Sequence, residues 1–166
     1  MTAIDNLNDF HGLAPFFRII EEGLKGVVDG DHFFDLLADD VLFEYVITVP
    51  GYPRRVTGRQ AVAELYRPYS DTFNVHRCFD LATYHDCESG VVVLEYACEG
   101  HVVPTGAHYG NRFVSVITIN NRKITRWRDY LDPIAVFEAI GWPPRASAPQ
   151  EDATSEPETP TRKESS

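Results

Sequence analysis

Apolar side chains recur at helical spacing through Leu13, Phe16, Phe17, Ile20, Leu24, Val27 and Val28. This pattern predicts an amphipathic helix over 13–29, with Pro15 in its first turn and Gly30 as its stop. A short second helix is expected at 32–37. The period then changes. Residues 41–49 are rich in β-branched and aromatic side chains and predict a strand, ended by Pro50-Gly51-Tyr52-Pro53. Thr57-Gly58 opens a third helix over 59–69, with Ala61, Val62, Leu65 and Tyr66 on its buried side. Four more strands are expected near 75–85, 90–103, 107–120 and 122–131. Their separators, Asp86 to Gly90, Pro104-Thr105-Gly106 and Asn120-Asn121, have hairpin chemistry. A final short helix covers 133–140. The order ααβαββββα predicts an α+β fold, a mostly antiparallel sheet with the helices grouped on one face. A strongly curved sheet closed by helices on its concave face encloses a pocket, which is the default site for a small molecule.

Composition sets the boundaries of this unit. The chain has 166 residues, 43% apolar and 12% aromatic, enough for one well-packed domain and too few for two. From 143 to 166 Pro, Ser, Thr, Glu and Ala dominate and hardly any apolar side chain exceeds alanine, so an acidic disordered tail is expected. With a loose segment at 1–11, the folded domain is expected over 12–142. A formal charge of −10 argues against nucleic-acid and anionic-membrane partners. Cys78, Cys87 and Cys98 are odd in number and lack CxxC spacing, so neither a disulfide framework nor a zinc cluster is indicated. No apolar run reaches the roughly 20 residues of a membrane span, and the first residues lack a signal-peptide pattern. A cytoplasmic location is the expectation.

The chemistry centres on Trp127-Arg128-Asp129-Tyr130-Leu131-Asp132, at the end of the last predicted strand. Alternation puts Trp127, Asp129 and Leu131 on one face and Arg126, Arg128 and Tyr130 on the other. If the tryptophan face is buried, Asp129 is a carboxylate among apolar groups, a costly placement unless the group is partnered or has a task.

The helix order, Leu37-Ala38-Asp39-Asp40 entering the first strand, the Thr57-Gly58 helix start and the closing Trp127-to-Pro133 run together resemble the nuclear transport factor 2-like superfamily over residues 12–141. That resemblance implies a cone-shaped α+β domain of the kind found in ketosteroid isomerases, SnoaL-like cyclases, limonene-type epoxide hydrolases and scytalone dehydratases, as well as in members with no enzymatic role. Trp127-Arg128-Asp129-Tyr130 is similar to the strand end of the epoxide hydrolases, whose Asp-Arg-Asp relay would place its Arg and second Asp at Tyr96 and Cys98. Neither residue supplies that chemistry. The water-positioning tyrosine and asparagine of that family would fall at Phe43 and Tyr45. The ketosteroid isomerase pattern fares no better: its base falls on Tyr45, its first-helix tyrosine on Gly23, and its protonated aspartate on Val114 or Ser115. The SnoaL-like group, with a single strand aspartate as acid/base, is the nearest match.

The resemblance and hairpin pairing imply a pocket-facing set. Asp129, Tyr96 and Tyr45 are the candidate catalytic groups. Phe43, Cys98, Asn111, Phe113 and Trp127 are the candidate ligand-binding ones. Asp129 would move a proton while a phenol or amide holds a carbonyl or enolate oxygen. The expected function is binding of a small apolar or aromatic ligand, with isomerase, cyclase or hydratase chemistry and neither metal nor organic cofactor. The alternatives are a non-catalytic ligand-binding or accessory module, and a protein-interaction module using the tail. Asp129 would then simply be a core carboxylate satisfied by its neighbours. His101 and His108, flanking Pro104, are most simply solvated rim histidines, and no metal site is expected. Ala97, Arg112, Val114 and Val116 lie on the opposite sheet face, which suits a homodimer through that outer surface.

Overall fold

The computed structural model describes residues 4, 6–47 and 51–142. A 3-10 segment, Leu7–Leu13, leads into α1, Ala14–Gly23, and a second 3-10 turn, Phe33–Leu36, leads into β1, Leu37–Tyr45. A short strand β2, Arg55–Thr57, precedes α2, Arg59–Tyr66, and the single-turn α3, Tyr69–Thr72. The long strands β3, Phe73–Asp86, β4, Val91–Val102, β5, His108–Asn120, and β6, Lys123–Leu131, follow, and α4, Pro133–Ile140, closes the fold. The six strands form one sheet in the order β2-β1-β6-β5-β4-β3. Every neighbouring pair is antiparallel except β1 with β6, which is parallel. The sheet is curved, and register shifts in β3–β4, β5–β6 and β1–β6 mark the bulges that bend it. The fold is the α+β arrangement expected, with the helices on its concave face.

The differences from the sequence pattern have local causes. The first helix stops at Gly23 instead of running to Asp29, because Gly26 adopts a positive φ of 81°. Apolar spacing continues past that point in two turns, which is why it reads as helix. The helix expected over 59–69 ends at Tyr66, because Pro68 cannot donate to the residue four before it. β1 begins four residues earlier than expected and ends at Tyr45; residues 48–50 lie outside the described residues. β2 is too short to leave a pattern. The segment expected to be loose at 1–11 contributes Phe10, which is 1% exposed and packs 4.7 Å from Phe34. The tail expected at 143–166 lies outside the described residues.

The core lies between α1, the Phe33–Leu36 turn, α2 and the concave face of the sheet. Its centre is aromatic. Phe17 stacks on Phe33 at 4.4 Å, Phe33 meets Trp127 edge-on at 5.8 Å, and Phe43 stacks on Trp127 at 5.9 Å. The β5–β6 hairpin turns through Asn121 and Arg122, with φ of 48° and 60°, the two-residue geometry whose twist suits a hairpin. Arg122 is held there by two hydrogen bonds to the Asp29 carboxylate, at 2.7 and 2.6 Å.

Candidate functional site

A cavity of about 90 Å³ opens between the concave face of the sheet, α2, α3 and α4. Its walls are almost wholly aromatic and aliphatic: Leu13, Phe16, Phe73, Phe113, Leu131 and Val136 line it together with the tyrosines 45, 52, 66, 69 and 109. Asp129 and Cys98 are the other polar contributors. None of the lining residues is a lysine, arginine or histidine.

Asp129 comes to this wall from β6, two residues before the strand ends. Its neighbours are set by register: Tyr45 lies beside it on the parallel strand β1 and Ser115 beside it on β5. One carboxylate oxygen, Oδ1, accepts a 2.7 Å hydrogen bond from Ser115 Oγ and a 3.3 Å bond from Trp127 Nε1. Ser115 is in turn 3.1 Å from the hydroxyl of Tyr96. No hydrogen bond from a described residue reaches Oδ2. Among the described residues the only sealed side-chain polar atom without a partner is Nδ1 of His32, so Oδ2 borders open space on the cavity side. Burial pushes the Asp129 carboxyl up to about 6, against the opposing pull of the Ser115 and Trp127 hydrogen bonds. No cation among the described residues offsets that burial. At neutral pH the group is mostly ionised yet gives and takes a proton readily.

The predicted residues divide into three sets. Asp129, Tyr45, Cys98 and Phe113 line the cavity. Phe43, Trp127 and Tyr96 are on the same sheet face but form a second layer: Trp127 and Tyr96 hold Asp129 directly or through Ser115, and Phe43 supports Trp127. Asn111 is elsewhere. Its side chain accepts from the backbone N–H of Asp132 at 3.0 Å and donates to the Asp132 carbonyl at 3.1 Å, which ties β5 to the β6–α4 junction. The expectation that Asn111 lies within reach of Asp129 is therefore corrected. It is two register steps too far along β5, and the position opposite Asp129 belongs to Ser115.

The phenols of the wall are donors. Burial raises Tyr45, Tyr66 and Tyr69 well above the usual tyrosine range, so each keeps its proton. The hydroxyls of Tyr45 and Tyr69 are 3.0 Å apart and bond to one another. Hydrogen bonding with Cys78, and then burial, pushes the Cys98 thiol up, which argues against a thiolate nucleophile. The two relay positions of the epoxide-hydrolase pattern hold Tyr96 and Cys98, so neither a guanidinium nor a second carboxylate stands beside Asp129. Away from the cavity lining, on β3 and β4, His76 Nε2 and His101 Nδ1 are 2.7 Å apart. No group of three metal-ligating side chains gathers among the described residues.

Sequence reasoning missed Ser115 and Tyr66 as members of the site. A signal for Ser115 was present, because counting back from the hairpin turn brings the partner of Asp129 to residue 114 or 115. For Tyr66 there was none beyond its place on the apolar side of a helix.

A six-stranded curved sheet wrapped around a pocket, with one long hairpin series and helices on the concave side, is the architecture of nuclear transport factor 2-like proteins. Residues 10–127 match the SnoaL-like domain, and the chain belongs to that family. The matched span stops two residues before Asp129. Among sequence relatives, the uncharacterized protein YesE of Bacillus subtilis is 31% identical over 107 residues, 64% of this chain and 73% of that protein. Among solved structures, a Bacillus subtilis protein provisionally named an isomerase superposes with a TM-score of 0.64 at 27% identity, covering 81% of this chain and 94% of that one. A nuclear transport factor 2-like protein from Burkholderia xenovorans has a TM-score of 0.57 at 19% identity, covering 82% and 98%, and shows the shared fold alone.

Proposed function

We propose that this SnoaL-like protein binds a small, largely apolar cyclic or carbonyl compound and isomerises, cyclises or dehydrates it, with Asp129 as general acid/base. One observation carries the reading: a buried carboxylate has one oxygen fixed by Ser115 and Trp127 and the other turned to an aromatic cavity without a cation. Such a group is oriented, accessible from one side, and titrates near the pH at which it would work. Ser115, Trp127 and Tyr96 are positioning residues in this scheme. The provisional isomerase name of the Bacillus subtilis neighbour is in keeping with it.

A second reading, ligand binding without turnover, draws on the same hydrogen bonds, since two donors on Oδ1 also describe a core carboxylate that is simply satisfied. The test is to identify a co-purified ligand by mass spectrometry, assay its conversion, and repeat with Asp129→Asn. Loss of turnover with affinity kept within about tenfold, roughly 1.4 kcal/mol, supports catalysis. Full activity in the variant refutes it.

A further inference from the structure

The cavity contains a polar group that the acid/base scheme leaves unused. Tyr66 is on the last turn of α2, and its ring is clamped by Phe16, Phe17, Phe33 and Phe43 at centroid distances of 6.1, 6.1, 6.0 and 5.9 Å. The residue is 5% exposed, yet its hydroxyl makes no hydrogen bond with any described residue. The other buried tyrosine hydroxyls of this region are engaged: Tyr45 with Tyr69, Tyr96 with Ser115, and Tyr109 with Asn111. A buried phenol with no partner is uncommon, because the group loses water and gains nothing in return. Its oxygen is not sealed in, so it borders the cavity that Asp129 also lines.

Two unpaired polar ends thus converge on one small apolar space. After burial, the largest influence keeping the Tyr66 proton in place is the negative charge of Asp129, which shows that the two groups feel one another. The wall has no cation, so a ligand bearing a carboxylate or phosphate would bring a second negative charge beside Asp129 without compensation. At roughly 15 Å³ per water, the cavity of about 90 Å³ holds only a handful of waters; an enclosed benzene takes about 150 Å³, so even one compact ring extends into the open mouth.

We propose that Tyr66 is the ligand-oxygen donor of this cavity, and that the ligand is a compact, uncharged cyclic ketone, enol or phenol. The Tyr66 hydroxyl donates to the ligand oxygen, while Oδ2 of Asp129 receives hydrogen from the adjacent carbon or from the ligand hydroxyl. This assignment rests on the reading that Asp129 faces the ligand. For a ketone, the proton on the adjacent carbon passes to Asp129. The C–H electron pair moves into the new carbon–carbon double bond, and the carbonyl pair moves onto the oxygen held by Tyr66. Return of the proton from Asp129 to that oxygen gives the enol, and the reverse sequence gives the ketone, an isomerisation in which nothing is oxidised or reduced.

The test uses 4-nitrophenol, whose neutral and ionised forms absorb at different wavelengths, with 4-nitrobenzoate as an anionic control. The wild-type protein is expected to bind the dye in its neutral form, and to bind it more tightly than the benzoate. Tyr66→Phe, which retains the ring and its packing, should weaken dye binding about tenfold with melting unchanged, the loss of one hydrogen bond. Asp129→Asn should shift the bound dye toward the phenolate while keeping Tyr66 as donor. Unchanged affinity in Tyr66→Phe, benzoate binding as tight as that of the dye, or no dye binding at millimolar concentration overturns the proposal. The comparison of dye and benzoate needs only the wild-type protein, so the choice of an uncharged ligand is decided even if a variant fails to fold. If Tyr66→Phe weakens binding but Asp129→Asn leaves the ionisation of the bound dye untouched, Tyr66 stands as donor and the acid/base reading of Asp129 fails.

Discussion

Replacing Asp129 with asparagine should make this protein more stable at neutral pH. The amide retains the shape of the carboxyl, and its oxygen can still accept from Ser115 and Trp127, while its nitrogen takes the place of Oδ2 toward the cavity. Only the charge is lost. In the folded protein the carboxyl titrates at about 6, against an ordinary value of 3.8, because burial penalises the ionised form. The folded state therefore holds this proton more tightly than the unfolded chain does. As pH rises from about 4 to about 6 the unfolded chain ionises first, so wild-type stability falls through that window, and the penalty is fully present above it. A shift of about two units corresponds to about 3 kcal/mol, a large part of the stability of a domain this size. Urea unfolding of both proteins, followed by tryptophan fluorescence at several pH values, measures the difference. Other carboxylates affect both curves equally and cancel. The variant should match wild type near pH 4 and exceed it by about 2–3 kcal/mol at pH 7. A difference that does not change between those values, or an unstable variant at pH 7, would refute the reasoning. Added stability together with lost turnover would be the mark of a residue kept for function at the expense of the fold.

Three further outcomes follow from particular contacts. Gly100→Ala would push a methyl into the carbonyl oxygen of Asn74 and to 2.8 Å from the Cα of Val75, so β3 and β4 must part; chemical denaturation should show a loss of roughly 3 kcal/mol or insoluble expression. Asn111→Ala removes the two bonds that pin the backbone of Asp132 and should cost about 2–3 kcal/mol in the same assay. It should leave the titration of Asp129, followed by carboxyl NMR, where it was. On the outer sheet face, half-buried Val114 and Val116 follow exposed Arg112 along β5, and we propose that a second copy covers them; sedimentation should then report a dimer at micromolar concentration that Val116→Lys dissociates, and a monomeric wild type would end that idea.

Much of this fold is legible in the chain because its signals are local. Val41, Phe43 and Tyr45 alternate onto one face whatever surrounds them, and glycine, proline and asparagine mark the turns between strands by their own backbone preferences. The same alternation puts Asp129 beside Trp127, so the sequence alone identifies the carboxylate that needs an explanation. What it could not choose was the company of that carboxylate. Near the turn, β5 and β6 pair as Asn120 with Lys123 and Ile119 with Ile124; after one shifted residue they pair as Thr118 with Arg126 and Ser115 with Asp129. Without that bulge Val114 would face Asp129 and the serine would point outward, because a slip of one residue exchanges the two faces of a strand. Whether such a bulge forms depends on how the whole sheet curves over α1 and α2. The parallel seating of β1 against β6, which brings Tyr45 alongside Asp129, joins segments more than eighty residues apart. Tyr66 is the plainest case: on its helix it is one more apolar position, and only the packing of four phenylalanines around its ring turns the hydroxyl toward the cavity. Local preference decides which residues are buried, and the closing of the sheet upon its helices decides which of them meet.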